Sequence, residues 1–249
     1  MGKSTIAANI ALALAKTGFN VGLLDADIYG PSQSHMMGVS DMKPDLSGKG
    51  LMPVIAHDVK CMSMGFLMSL NTPAIWRGPM ASGALQQMLS ETKWGNLDIL
   101  LVDMPPGTGD IQLTISQRVP LSGAVIVTTP QDIALLDARK AIEMFTKVEV
   151  PTLGIVENMS SHVCNNCGYE EAIFGSHGGQ SIAVEYGTKV LAQLPLSLSI
   201  RKQSDEGVPI VISDPGCPAS QALHLAAERL IGSLSSLVSS GPEIDIIDD

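Results

Sequence analysis

The chain opens on Met1-Gly2-Lys3-Ser4-Thr5, the closing half of the pattern G-x-x-x-x-G-K-[ST], and an apolar helical pattern follows at once. In such a loop glycines let backbone N–H groups wrap phosphates, the Lys reaches the β/γ-phosphates and the hydroxyl binds Mg²⁺. This constrains the fold more than any other stretch, because the motif lives between a strand and a helix. The Gly-rich half of the loop and the strand that feeds it are not in the sequence. Four residues such as GKST recur by chance, so their weight comes from what lies downstream.

Alternating elements run nearly throughout. Residues 4–17 read as a helix with Gly18 at its C-terminal cap, followed by a strand at 20–25. Residues 39–75 are irregular apart from a hairpin around Val54–Met64. A helix follows Pro79 to about Glu91, and Leu97–Asp103 is a continuous apolar strand, as expected where both sheet faces are covered. Strand 123–128, helix 132–147, strand 150–156, loop 158–180, helix 178–186, strand 189–194 and a helix from about 217 to 239 complete the pattern. The expected fold class is therefore α/β, a mostly parallel sheet with helices on both faces. One domain is expected over residues 1–240, with an acidic, disordered tail at 241–249.

Composition narrows the partners. Formal charge is −10, which argues against a nucleic-acid binder. No apolar run approaches the ~18 residues of a membrane span, and no leader pattern precedes the first helix. Four Cys, two of them in one C-x-x-C, do not resemble a secreted disulfide framework and point to a reducing compartment.

Acidic residues stand at strand ends. Asp103 ends an apolar strand and precedes Met104-Pro-Pro-Gly-Thr-Gly-Asp110; beside a phosphate loop, such a carboxylate orients the Mg²⁺ shell. Gly107 in that run permits a backbone N–H to approach a γ-phosphate closely. Asp25 and Asp27 flank Ala26 and project to opposite sides if strand geometry continues, one toward a metal and one toward an attacking water. In isolation, the pair reads better as a solvated loop mouth. Asn158, at another strand end, offers a purine edge both a donor and an acceptor, or closes an Asx turn.

Cys164-Asn165-Asn166-Cys167-Gly168 places two thiolates within reach of one metal or cluster. Two ligands are too few for structural zinc. His162 and His177 are candidates to complete such a site; a twofold dimer supplying two pairs is the other solution. A redox role fits less well, because redox C-x-x-C motifs open a helix. Cysteines that ligate nothing are the simplest reading.

With GKST, LLDADIYGPS, WRGP, LLVDMPPGTGDIQLTISQ, ENMS, CNNCG and LPLSLSIRKQSDEGVP in hand, the chain resembles the Mrp/ApbC family of iron–sulfur cluster carrier ATPases. These are deviant Walker A P-loop NTPases of the SIMIBI type, related to MinD/ParA and to the nitrogenase iron protein. The resemblance implies an ATP-binding homodimer with a cluster, of 4Fe–4S type, bridged by C-x-x-C pairs and passed to apo iron–sulfur proteins or exchanged with assembly scaffolds. By resemblance Gly2, Lys3 and Thr5 contact phosphate, Ser4 holds Mg²⁺, and Asp25 and Asp27 form the first switch, with Asp27 orienting water. Asp103 matches Walker B, Gly107 the γ-phosphate loop, Asn158 the adenine contact, and Cys164 with Cys167 the cluster ligands.

The family loop reads roughly GKGGVGKST; this sequence lacks its early lysine, which leaves hydrolysis open and leads us to expect an N-terminal truncation or a misplaced start codon. The expected location is a bacterial cytoplasm, with the mitochondrial matrix as the alternative. Two rival readings are a MinD/ParA-like spatial-organisation ATPase and a zinc-stabilised binding module. The acidic C-terminus and the otherwise unexplained C-x-x-C weigh against the first.

Overall fold

A computed structural model describes residues 1–28, 30–45, 50–67, 78–164 and 166–239. Tyr29, Trp76, Arg77 and the predicted tail at 241–249 lie outside the described residues. The elements are α1 (Lys3–Lys16), β1 (Val21–Asp25), α2 (Gln33–Met36), β2 (Val54–Ala56), β3 (Val59–Ser63), α3 (Met64–Leu67), α4 (Gly78–Glu91), β4 (Ile99–Asp103) and α5 (Asp110–Arg118). They continue with β5 (Ala124–Thr128), α6 (Asp132–Lys147), β6 (Thr152–Glu157), β7 (His162–Val163), β8 (Glu170–Glu171), α7 (Gly178–Glu185), β9 (Val190–Gln193), α8 (Leu198–Asp205), α9 (Ile210–Ser213) and α10 (Pro218–Ser239).

The strands form two principal sheets, β2-β3-β1-β4 and β5-β6-β9, parallel except for the β2–β3 hairpin. The hairpin expected around Val54–Met64 is present. Nothing in the residue pattern marks its second strand as the parallel partner of β1 that it is. Helix α1 is Ala- and Leu-rich, which favours helix, and it buries Ile6, Ile10, Leu12 and Leu14. It ends as expected: Gly18 at φ 97 follows the last turn, its N–H donates to Ala15 O, and Phe19 N–H donates to Leu14 O. One apolar cluster joins α1, β1, β3, β6, β9 and α10, and a second gathers β5, β6, α6 and α7.

One expectation needs correction. Strand β4 is not covered on all sides: Ile99 to Val102 are partly exposed, and only Asp103 is buried. Its free edge, with that of β5, lines an apolar cavity of about 650 Å³ closed by Ile6, Ile10, Leu153 and Leu230. The cavity lies where the edges of β4 and β5 face each other, and the strands on either side of it make up the mostly parallel α/β architecture expected from the sequence. Among the described residues, no helix is long and apolar enough to cross a membrane.

Candidate functional site

Strand register builds the site. Asp25 ends β1 and lies opposite Ser63 at the end of β3 and Asp103 at the end of β4. Three polar side chains thus share one row at the carboxyl edge, where ligands of parallel sheets gather. The row faces the start of α1, which carries Lys3, Ser4 and Thr5.

Asp25 is fully buried and accepts four hydrogen bonds: from Asp27 N–H at 3.1 Å, Ser32 N–H at 2.9 Å, Gln33 N–H at 3.0 Å and Ser63 Oγ–H at 3.0 Å. The backbone N–H groups of Asp27, Ser32 and Gln33 thus converge on this one carboxylate. Burial still pushes its pKa up to about 6, with the Asp103 charge raising it further against the hydrogen bonds that lower it. Asp103 is likewise raised by burial; the Gln33 and Ser4 hydrogen bonds and the Lys3 charge pull it down, while Asp27 opposes them. Asp27 is less buried and accepts from Gly30 N–H at 3.1 Å.

At the loop start, Gly2 has φ 83, and a Cβ there would lie 2.5 Å from Asn158 Nδ2. Only glycine fits both the left-handed backbone and the contact. Asn158 Nδ2 donates to Met1 O at 3.0 Å, and its Oδ1 accepts from Met159 N–H. The predicted base-contacting residue therefore packs on the phosphate loop. Lys3 and Gly107 line one further cavity of about 160 Å³, with Met1, Met104 and Thr108. Thr5 Oγ1 lies 4.0 Å from Met36 Sδ. The donor set, a serine hydroxyl against a buried carboxylate at a glycine-opened helix start, fits a small hard cation with a phosphate.

The second cluster stands elsewhere. Cys164 and Cys167 cap the short antiparallel pair β7–β8; Cys164 N–H donates to Tyr169 O and Gly168 N–H to Cys164 O. Cys167 is exposed and Cys164 partly so. The Cys164 thiol is held below its usual range by the N–H of Asn166, then by the N–H and side chain of Cys167. Buried Cys61 is the opposite case, pushed up to about 12 by desolvation. Cys217 caps α10, bonded to Ser220.

The two predicted zinc partners do not join the thiols: His162 Nδ1 pairs with Leu196 O at 3.2 Å, and His177 precedes α7. Among the described residues, no group of three or more His, Cys, Asp or Glu forms a metal cage.

Sequence reasoning missed Gln33, Ser63 and Glu157. Glu157 is buried at the end of β6 and accepts from the N–H of Gly179 and from Gln193 Nε2. It ties α7 and β9 to the strand that carries Asn158. A Glu closing the apolar run ahead of Asn158 was the signal the sequence held for it.

Comparison with known proteins agrees with the geometry. Residues 1–231 match the ParA family model described as NUBPL iron-transfer P-loop NTPase. An iron–sulfur cluster carrier protein of Pseudomonas fragi is 58% identical over 88% of this chain and 77% of its own length. One of Haemophilus influenzae is 55% identical over 92% of this chain, which spans 62% of that relative. Among solved structures, a nucleotide-binding protein in complex with ADP from Archaeoglobus fulgidus superimposes with a TM-score of 0.73. It is 39% identical, over 83% of this chain and 81% of that one.

Proposed function

The chain belongs to the ParA family of NUBPL-type iron-transfer P-loop NTPases, and from that premise we propose that it carries an iron–sulfur cluster between two copies of itself. The cluster is cargo, of 4Fe–4S type, gripped by Cys164 and Cys167 of each subunit and handed to apo-proteins. One observation carries this reading: a thiol pair on a hairpin tip, Cys167 exposed and Cys164 partly so, with Cys164 biased toward thiolate and two ligands per chain. A second copy completes the four-thiolate set that such a cluster takes.

ATP is the proposed partner of the buried row. Lys3 and the N–H groups at the start of α1 would bind phosphate; Ser4 and Asp103 would hold magnesium, which would neutralise phosphate charge there. Asp27, the more accessible carboxylate, would orient the attacking water, and the loop at Gly107 would approach the γ-phosphate. Nucleotide occupancy would set the spacing of the two subunits and so the grip on the cluster. Relatives from bacteria, together with free thiols, favour action in a reducing cytoplasm.

The test is anaerobic reconstitution with iron and sulfide, followed by absorbance, metal and acid-labile sulfide analysis, and sedimentation. A brown dimer with near-stoichiometric sulfide supports the reading. A colourless monomer overturns it, and zinc without sulfide favours the binding-module alternative. Phosphate release from ATP checks the nucleotide half separately.

A further inference from the structure

Gln33 opens α2 at 1% exposure, yet it is a polar residue with no counterpart among the predicted site residues. Its Nε2 donates to Ser4 O at 2.9 Å and to Asp103 Oδ2 at 2.8 Å. Both amide protons are thereby used, which fixes the orientation of the group. Its backbone N–H donates to Asp25 Oδ2 at 3.0 Å. One residue therefore touches the phosphate loop, the β4 carboxylate and the β1 carboxylate.

The amide oxygen is different. Gln33 Oε1 is buried and finds no hydrogen-bond donor among the described residues. An orphaned buried acceptor is costly, so native chains rarely keep one without a use. The donors of this network are already committed: Ser63 Oγ–H to Asp25, and both amide protons of Gln33 to Ser4 O and Asp103. A proton for Oε1 is best supplied from outside the chain. A hydrated divalent cation between Ser4 and Asp103 brings such protons, because small hard cations keep several of their waters.

We propose that Gln33 is a positioning residue of the cation site, locking Asp103 against the Ser4 backbone and accepting through Oε1 a hydrogen bond from the cation's hydration shell. The inference rests on the magnesium–nucleotide reading above and adds to it a residue that binds neither phosphate nor metal directly. Outer-shell partners of this kind typically carry 10–100-fold in metal affinity.

Binding of a fluorescent ADP analogue to the full 249-residue chain, titrated with Mg²⁺ and repeated in EDTA, tests it. Gln33→Met keeps the volume and removes the amide; Gln33→Glu keeps an oxygen at Oε1 but sets a carboxylate against Asp103. We expect Gln33→Met to need about tenfold more Mg²⁺ for half-saturation, with EDTA affinity unchanged, and Gln33→Glu to be worse. Thermal melts accompany each variant, and Gln33→Asn is the substitute should Gln33→Met fail to fold. Equal weakening with and without Mg²⁺ would mean a merely structural residue. Equal Mg²⁺ dependence in wild type and Gln33→Met sinks the Gln33 assignment alone. Wild-type binding that ignores Mg²⁺ removes the cation reading, and this inference with it.

Discussion

The buried carboxylate row and the thiol hairpin are built on opposite principles. Asp25 is desolvated and held by four donors, so its position is set before any ligand arrives. Cys164 and Cys167 are held by little more than a two-rung ladder and stand in solvent. The first region is organised by this chain alone, at the cost of raised carboxyl pKa values. The second presents half a ligand set and leaves the rest to a partner. A site that grips and releases cargo gains from the second design, whereas a site that distinguishes phosphate states gains from the first.

The largest expected effect strikes the hairpin. Cys164→Ala/Cys167→Ala should retain no chromophore after iron–sulfide loading, while urea melts shift by no more than ~0.5 kcal/mol, as for exposed positions generally. A large loss of stability would break the comparison by making the thiols structural.

Next comes the pH behaviour of the row. In the folded chain Asp25 holds its proton up to about 6, against 3.8 ordinarily, so protonation favours the folded state. Stability therefore falls as pH rises from about 4 to about 6 and returns as pH drops. The difference amounts to roughly 3 kcal/mol at ~1.4 kcal/mol per unit. Asp25→Asn cannot titrate, so its stability relative to wild type should rise by about that amount between pH 4 and pH 7 in paired denaturant melts. A flat difference would show that the row is not desolvated in solution.

Gly2→Ala should cost ~1–3 kcal/mol through the left-handed backbone and the Asn158 contact, and Gly2→Ala/Asn158→Ala should recover part of it. The smallest effect is expected at His162, where alanine removes one bond to Leu196 O: a loss of ~0.5–1 kcal/mol with cluster content unchanged. Lost metal binding in that variant would return the imidazole to the ligand set.

Much of the fold was legible because apolar periodicity announced it. Helix α6 matches its expected bounds of 132–147, and α4, α7, α10 and most strands fall within about two residues of expectation. Helix α8 escaped because its turns are held by exposed pairs, Arg201–Asp205 and Lys202–Glu206, and carry no apolar stripe. Helix α5 escaped because the face it buries includes Gln112 and Ser116. The pair β7–β8 has two residues per strand, too few to alternate.

Within the candidate site, Lys3, Ser4, Asp25 and Asp103 were readable from motif and strand ends. Gln33 and Ser63 were not, because only the pairing of β1 with β3 and the backbone bond from Gln33 bring them to Asp25. Asn158 was readable as a strand-end residue, but its hydrogen bond to the backbone of Met1 was not.

That last contact has a mechanical meaning. From Asn158 to Cys164 the backbone runs six residues, ~20 Å at full stretch, and it is pinned on the way by Ser160 and Ser161 to Leu194 and Leu196. The amide that braces the first two residues of the chain is therefore also the root of the arm bearing the thiols. The arm is fastened a second time at Ser160 and Ser161, so only the stretch beyond those anchors hangs free of β9.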